Sequence, residues 1–83
     1  MGDRPLKYRK LIAILKRYGV HEDKSRGKGS ERMLVGRVDN RIEKFPTKCH
    51  SENDEKPRAV VRAIRRRFRL TKEDGVSDAE FYS

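Results

Sequence analysis

Met33-Leu34-Val35-Gly36-Arg37-Val38-Asp39-Asn40-Arg41-Ile42-Glu43-Lys44-Phe45, residues 33–45, is the stretch on which the reading of the fold turns. Met33-Leu34-Val35 and Val38 run up to Asp39-Asn40, and Arg41–Phe45 runs away from it. Asp and Asn both tolerate positive φ, so a two-residue connection of this kind suits a tight hairpin. Pro46 offers no donor to a ladder, which puts the predicted end of the outgoing strand at Phe45. Upstream, the loop Ser25-Arg26-Gly27-Lys28-Gly29-Ser30 separates the hairpin from Val20–Lys24, a further short strand. Three strands in a meander is the simplest arrangement.

Each side of this meander carries an amphipathic segment. Before it, Tyr8, Leu11, Ile12, Leu15 and Tyr18 recur at helical spacing, with Pro5 as a first-turn residue and Gly19 as a stop. After it, Thr47–Glu55 reads as a polar loop and Pro57 starts a second helix with Val60, Val61, Ile64 and Phe68 as its apolar positions. The expected order is helix, three strands, helix. This is a small α+β domain with a three-stranded antiparallel sheet and two helices on one face, the α-β-β-β-α order of double-stranded-RNA-binding domains.

The chain has 83 residues, 34% of them hydrophobic and 42% charged, with 22 Lys plus Arg against 13 Asp plus Glu for a net +9. That is room for one domain with a modest core. No apolar run approaches the roughly 18–20 residues of a membrane-spanning helix, and Met1–Lys10 is too charged for a secretory signal. Leu6 stands where a myristoylation signal needs Ser or Thr. The lone Cys49 can form no internal disulfide, and no Cys/His spacing offers four zinc ligands. A cytoplasmic protein without metal or other cofactor, and without membrane contact, is expected, with a polyanion as partner. Residues 72–83 set Lys72 against Glu73, Asp74, Asp78 and Glu80, a net of −3 that leaves +12 for residues 1–71. This change of sign predicts a basic domain over 1–71 and an acidic, mobile tail over 72–83.

Arg58, Arg62, Arg65, Arg66 and Arg69 fall within about 100° of one another on a helical wheel. So many guanidiniums on one face repel unless a polyanion or an acidic partner neutralises them, and their forks match phosphate. A solvated, solubilising face is the plainer alternative. Arg26–Ser30 is a glycine-rich basic loop able to turn N–H groups toward a phosphate. It is not a nucleotide-binding P-loop, because Gly29 follows Gly27-Lys28 where Ser or Thr would be needed. His21 and His50 read as surface residues. Cys49 beside His50 does not make a nucleophile–base pair, since sequence neighbours rarely have that geometry. The few aromatics lie mostly at core positions, which gives base stacking on single strands little support.

From about Tyr8 to Leu70 the chain resembles the HicA (YcfA-like) family of small mRNA-interferase toxins. The resemblance rests on Tyr18-Gly19 closing the first helix, Lys28-Gly29-Ser30 between strands, Phe45-Pro46 followed by Lys48 and His50, and Val60, Ile64 and Phe68 in the closing helix. It implies a double-stranded-RNA-binding-like fold, metal-independent endoribonuclease activity and an acidic HicB-like antitoxin as partner. It also implies RNA contact by Lys28, Gly29, Ser30, Arg32 and Lys48 beside the arginine face. One departure stands at the centre: the family's catalytic histidine follows Gly-Ser, and here that position is Glu31. Attack by a ribose 2′-hydroxyl needs a base to take its proton. A carboxylate can do so, although one flanked by Arg32 and Lys28 is a weaker base than an imidazole. Glu31 as base and His50 as acid are the catalytic candidates. The alternative is a nucleic-acid-binding module that uses the same basic face without cleavage.

Overall fold

A computed structural model describes residues 3–23 and 31–83 of the chain. Its elements in order are β1 (Leu6–Lys7), α1 (Tyr8–Lys16), β2 (His21–Asp23), β3 (Glu31–Val38), β4 (Arg41–Lys48), β5 (Glu55–Lys56), α2 (Arg58–Arg67), a 3₁₀ turn (Lys72–Asp74) and α3 (Asp78–Tyr82). β2, β3 and β4 form a three-stranded antiparallel sheet in that order. The domain is therefore of mixed α+β class.

The hairpin turns at Asp39 and Asn40, whose φ values of 49° and 66° are the left-handed pair a two-residue turn requires. From there the register runs outward through Leu34 opposite Phe45 to Glu31 opposite Lys48. Pro46 does not end β4, as its missing N–H suggested; it pairs with Met33 inside the strand. The reason is that β4 is an edge strand, where a residue without a donor leaves no inner ladder broken. Thr47 and Lys48 thus belong to β4 rather than to the following loop.

Pro5 likewise does not begin α1. Leu6 and Lys7 stay extended and pair with Lys56 and Glu55, making a second, two-stranded sheet. The first N–H groups of α1, those of Tyr8 and Arg9, donate to the carbonyls of Asp54 (2.7 Å) and Glu52 (2.9 Å). Tertiary carbonyls do here what a capping side chain does elsewhere.

Residues that pair across strands share a sheet face. Leu34, Gly36, Val38 and Phe45 point to the side covered by helices, where Leu34 meets Leu11, Ile14 and Leu15 of α1 and Val61, Ile64 and Phe68 beside it in one core. Full burial of each such side chain is worth about 1.5–3 kcal/mol. Gly36 sits at the closest approach. A β-carbon there would lie 2.8 Å from Val20 Cγ2 and 3.1 Å from Phe68 Cδ1.

The segment 72–83 is not a detached tail. Phe81 is fully buried and Tyr82 nearly so, both within the core cluster. Phe81 stacks on Tyr18 at 6.2 Å between centroids and meets Tyr82 edge-on at 5.1 Å. Ser77 caps α3 by accepting from the Glu80 N–H at 3.1 Å, and Arg17 donates to the carbonyls of Glu80 and Phe81. Acid-rich composition hid an aromatic pair that the helices had left room for.

Candidate nucleic-acid interface

The arginines of α2 divide into two sets. Arg65 is buried, with 3% of its surface exposed. Its Nη1 donates to Asp3 Oδ1 and to Asp78 Oδ1, each at 2.8 Å, while Nε donates to the Leu70 carbonyl at 2.8 Å and Nη2 to that of Val76 at 3.1 Å. The guanidinium also lies 4.5 Å from the centroid of the Phe81 ring. Burial alone would lower its pKa, but the bonds to Asp78 and Asp3 outweigh that and raise it. Burial likewise pushes Asp3 upward, and hydrogen bonds from Arg65 and Arg62 override it and hold the carboxyl below its ordinary 3.8. Arg65 therefore leaves the predicted phosphate-binding face. On the wheel it lies about 40° from Val61, on the edge of the apolar stripe, and that was the one sign of its burial in the sequence.

Arg62 shares the partner: its Nε lies 3.0 Å from Asp3 Oδ2, with half the side chain still exposed. Arg67, outside the expected face, lies 3.7 Å from Glu43 Oε1 of β4. Arg58, Arg66 and Arg69 are exposed and have no ion pair among the described residues. Between α2 and the β4 edge runs an open groove lined by Glu43, Phe45, Ala63, Arg66, Arg67 and Arg69. Phe45 is only partly buried there, so one aromatic is not wholly consumed by the core.

The predicted catalytic residues lie elsewhere. Glu31 opens β3 directly opposite Lys48, the last residue of β4, so the register sets these two at one end of the sheet, and His50 follows two residues beyond it. Glu31 and Lys48 are exposed on the sheet face away from the helices, whereas α2 lies on the covered side. The expected set is thus split between two sides of the domain. Arg32 points the other way from Glu31: its Nε lies 3.2 Å from Glu22 Oε2, and the Tyr8 hydroxyl donates to that same carboxylate oxygen. Burial and the bond to Glu22 push the Tyr8 hydroxyl's pKa upward. This Tyr8–Glu22–Arg32 group was invisible to sequence reasoning, since its members meet only when α1, β2 and β3 assemble.

The His50 and Ser51 N–H groups donate to Asp54 Oδ2 at 2.9 and 3.0 Å, a side-chain-closed turn. Cys49 is buried, and burial raises its thiol. Lys28, Gly29 and Ser30 lie outside the described residues.

No family model, curated protein or solved structure matches this chain. Among the described residues no group of three or more His, Cys, Asp or Glu side chains could hold a metal ion, and no helix is long and apolar enough to cross a membrane.

Proposed function

We propose that this is a HicA-like, double-stranded-RNA-binding-like domain that binds RNA in the cytoplasm through the outward arginines of α2. The observation that carries the reading is the trio Arg58, Arg66 and Arg69, exposed and without an ion pair among the described residues, on a chain of net charge +9. Guanidiniums left unneutralised on such a chain favour a polyanion, and their planar forks suit phosphate oxygens. Arg58 stands at the start of α2 and Arg69 just past its end, roughly 16 Å apart at 1.5 Å per residue, a span that meets several phosphates of one strand. A salt titration tests it. Affinity for RNA should fall steeply with salt, and Arg58→Gln or Arg66→Gln should each flatten the log–log slope by about 0.7–0.9. An unchanged slope in both variants overturns the assignment of this face.

A second reading, mRNA cleavage restrained by an acidic HicB-like antitoxin, is favoured by one observation: Glu31 pairs with Lys48 at the end of the sheet from which the chain runs on to His50. On this reading Glu31 takes the 2′-hydroxyl proton, Lys48 steadies the phosphate charge and His50 protonates the leaving oxygen. Loss of general-base help should then lower cleavage by about 10²–10⁴-fold in Glu31→Gln with little change in affinity. Glu31→His restores the residue type of the resembled family. Cleavage by that variant but not by the parent makes the parent a binding module, and absence of cleavage in both ends the catalytic reading.

A further inference from the structure

The groove between α2 and β4 has features that a plain basic surface does not need. The first is the backbone at Arg69. α2 closes with the Leu70 N–H donating to the Arg65 carbonyl at 2.8 Å and the Arg69 N–H to that of Arg66 at 3.3 Å, which puts Arg69 at φ 56°. The same pair of bonds closes α1 and the 3₁₀ turn, and there the left-handed residue is glycine: Gly19 at φ 81° and Gly75 at φ 94°. A side chain in this conformation costs backbone energy that glycine does not. The Arg69 guanidinium makes no hydrogen bond or ion pair among the described residues that would offset it. The acid whose titration it influences, Asp74, already accepts from the Thr71 hydroxyl at 2.6 Å.

The second feature is what lies beside it. Arg66 and Arg69 line the groove with Ala63 and Arg67 on the helix side, and the partly exposed ring of Phe45 lines it on the β4 side beside Glu43, whose carboxylate lies 3.7 Å from Arg67. Two guanidiniums without an ion pair among the described residues, next to an aromatic surface, match the two chemistries of a nucleotide, a phosphate anion and a flat base. In a duplex the base faces are covered by their neighbours, so only an unpaired strand can present both at once.

We propose that the α2–β4 groove is a nucleotide seat for single-stranded RNA, a backbone phosphate lying between Arg66 and Arg69 and the adjoining base against Phe45. The proposal rests on the RNA-binding reading and adds to it a preference for unpaired strands.

The test uses the full chain with a short oligouridine strand, an RNA duplex and an oligoglutamate peptide as probes. Arg69→Gly should raise the melting temperature while weakening oligouridine binding and flattening its salt slope by about 0.7. Because that variant is the more stable one, its lost affinity cannot be blamed on unfolding. Phe45→Leu keeps an apolar side chain and should cost about five-fold or more in oligouridine affinity, with an unchanged salt slope and little effect on the duplex. The seat is overturned if Phe45→Leu leaves oligouridine affinity intact, if Arg69→Gly stabilises without weakening it, or if oligoglutamate competes as well as RNA. Failure of the parent to bind either RNA strikes the broader reading instead. Binding that responds to Arg58→Gln but not to changes in the groove strikes the seat alone.

Discussion

Two regions of α2 use one side chain for opposite purposes. Around Arg65, a guanidinium is drawn out of water and saturated by two carboxylates, two carbonyls and the face of an aromatic ring. Along the groove to β4, the next residue in sequence, Arg66, keeps its charge in solvent with no acidic partner among the described residues. The first arrangement ties the N-terminal segment, the helix and the C-terminal segment into one unit. The second leaves charge for something outside the chain. Residue type did not separate them; position relative to the apolar stripe did, together with where Asp3 and Asp78 arrive.

The sharpest way to break the comparison is to remove what closes the Arg65 side. Phe81→Ala should cost about 3–5 kcal/mol in urea unfolding, the range for a fully buried aromatic, whereas a free tail would show no change. Next comes the contrast itself. Arg65→Gln strands Asp3 and Asp78; because both keep some water contact, about 2–3 kcal/mol of lost stability is expected, below the full cost of a wholly buried charge. Arg66→Gln should stay within about 0.5 kcal/mol, and comparable losses in the two variants would erase the distinction.

Gly36→Ala probes the packing on which both regions depend. A methyl group meets Val20 and Phe68 inside contact distance, so roughly 1–3 kcal/mol of destabilisation should appear, and Phe68→Leu should relieve part of it. The smallest effect is in pH dependence. The folded-state pKa of Asp3 lies below the unfolded value, so its contribution is full above about pH 4 and is lost as pH falls through the lowered value. Asp3→Asn should flatten that acid limb of the stability profile and leave the slope near neutrality alone. At the other extreme, Tyr8 and Tyr82 both have raised values, so their contribution holds below about pH 10 and fades as pH rises through them.

Local signals carried far in this chain. The Asp39-Asn40 turn, the strands on either side of it and the apolar stripes of both helices were legible because each depends on residues near one another in sequence. Strand and helix limits were less so. Pro46 reads as a breaker unless β4 is known to be an edge, and Pro5 reads as a helix start unless Leu6–Lys7 is known to pair with Glu55–Lys56. The acidic segment was misread for a related reason: averaging its charge concealed Phe81 and Tyr82, whose partners Tyr18 and Arg65 are far away in the chain.

The basic character of the molecule, its α+β class and the helical row of arginines follow from the sequence alone, because composition and periodicity are sums over neighbours. Which arginine is spent inside the fold, which remain outside, and that Glu31 faces away from them were decided only in three dimensions. A charge keeps its place in water or leaves it according to what distant carboxylates, carbonyls and rings surround it, and no local pattern encodes their arrival.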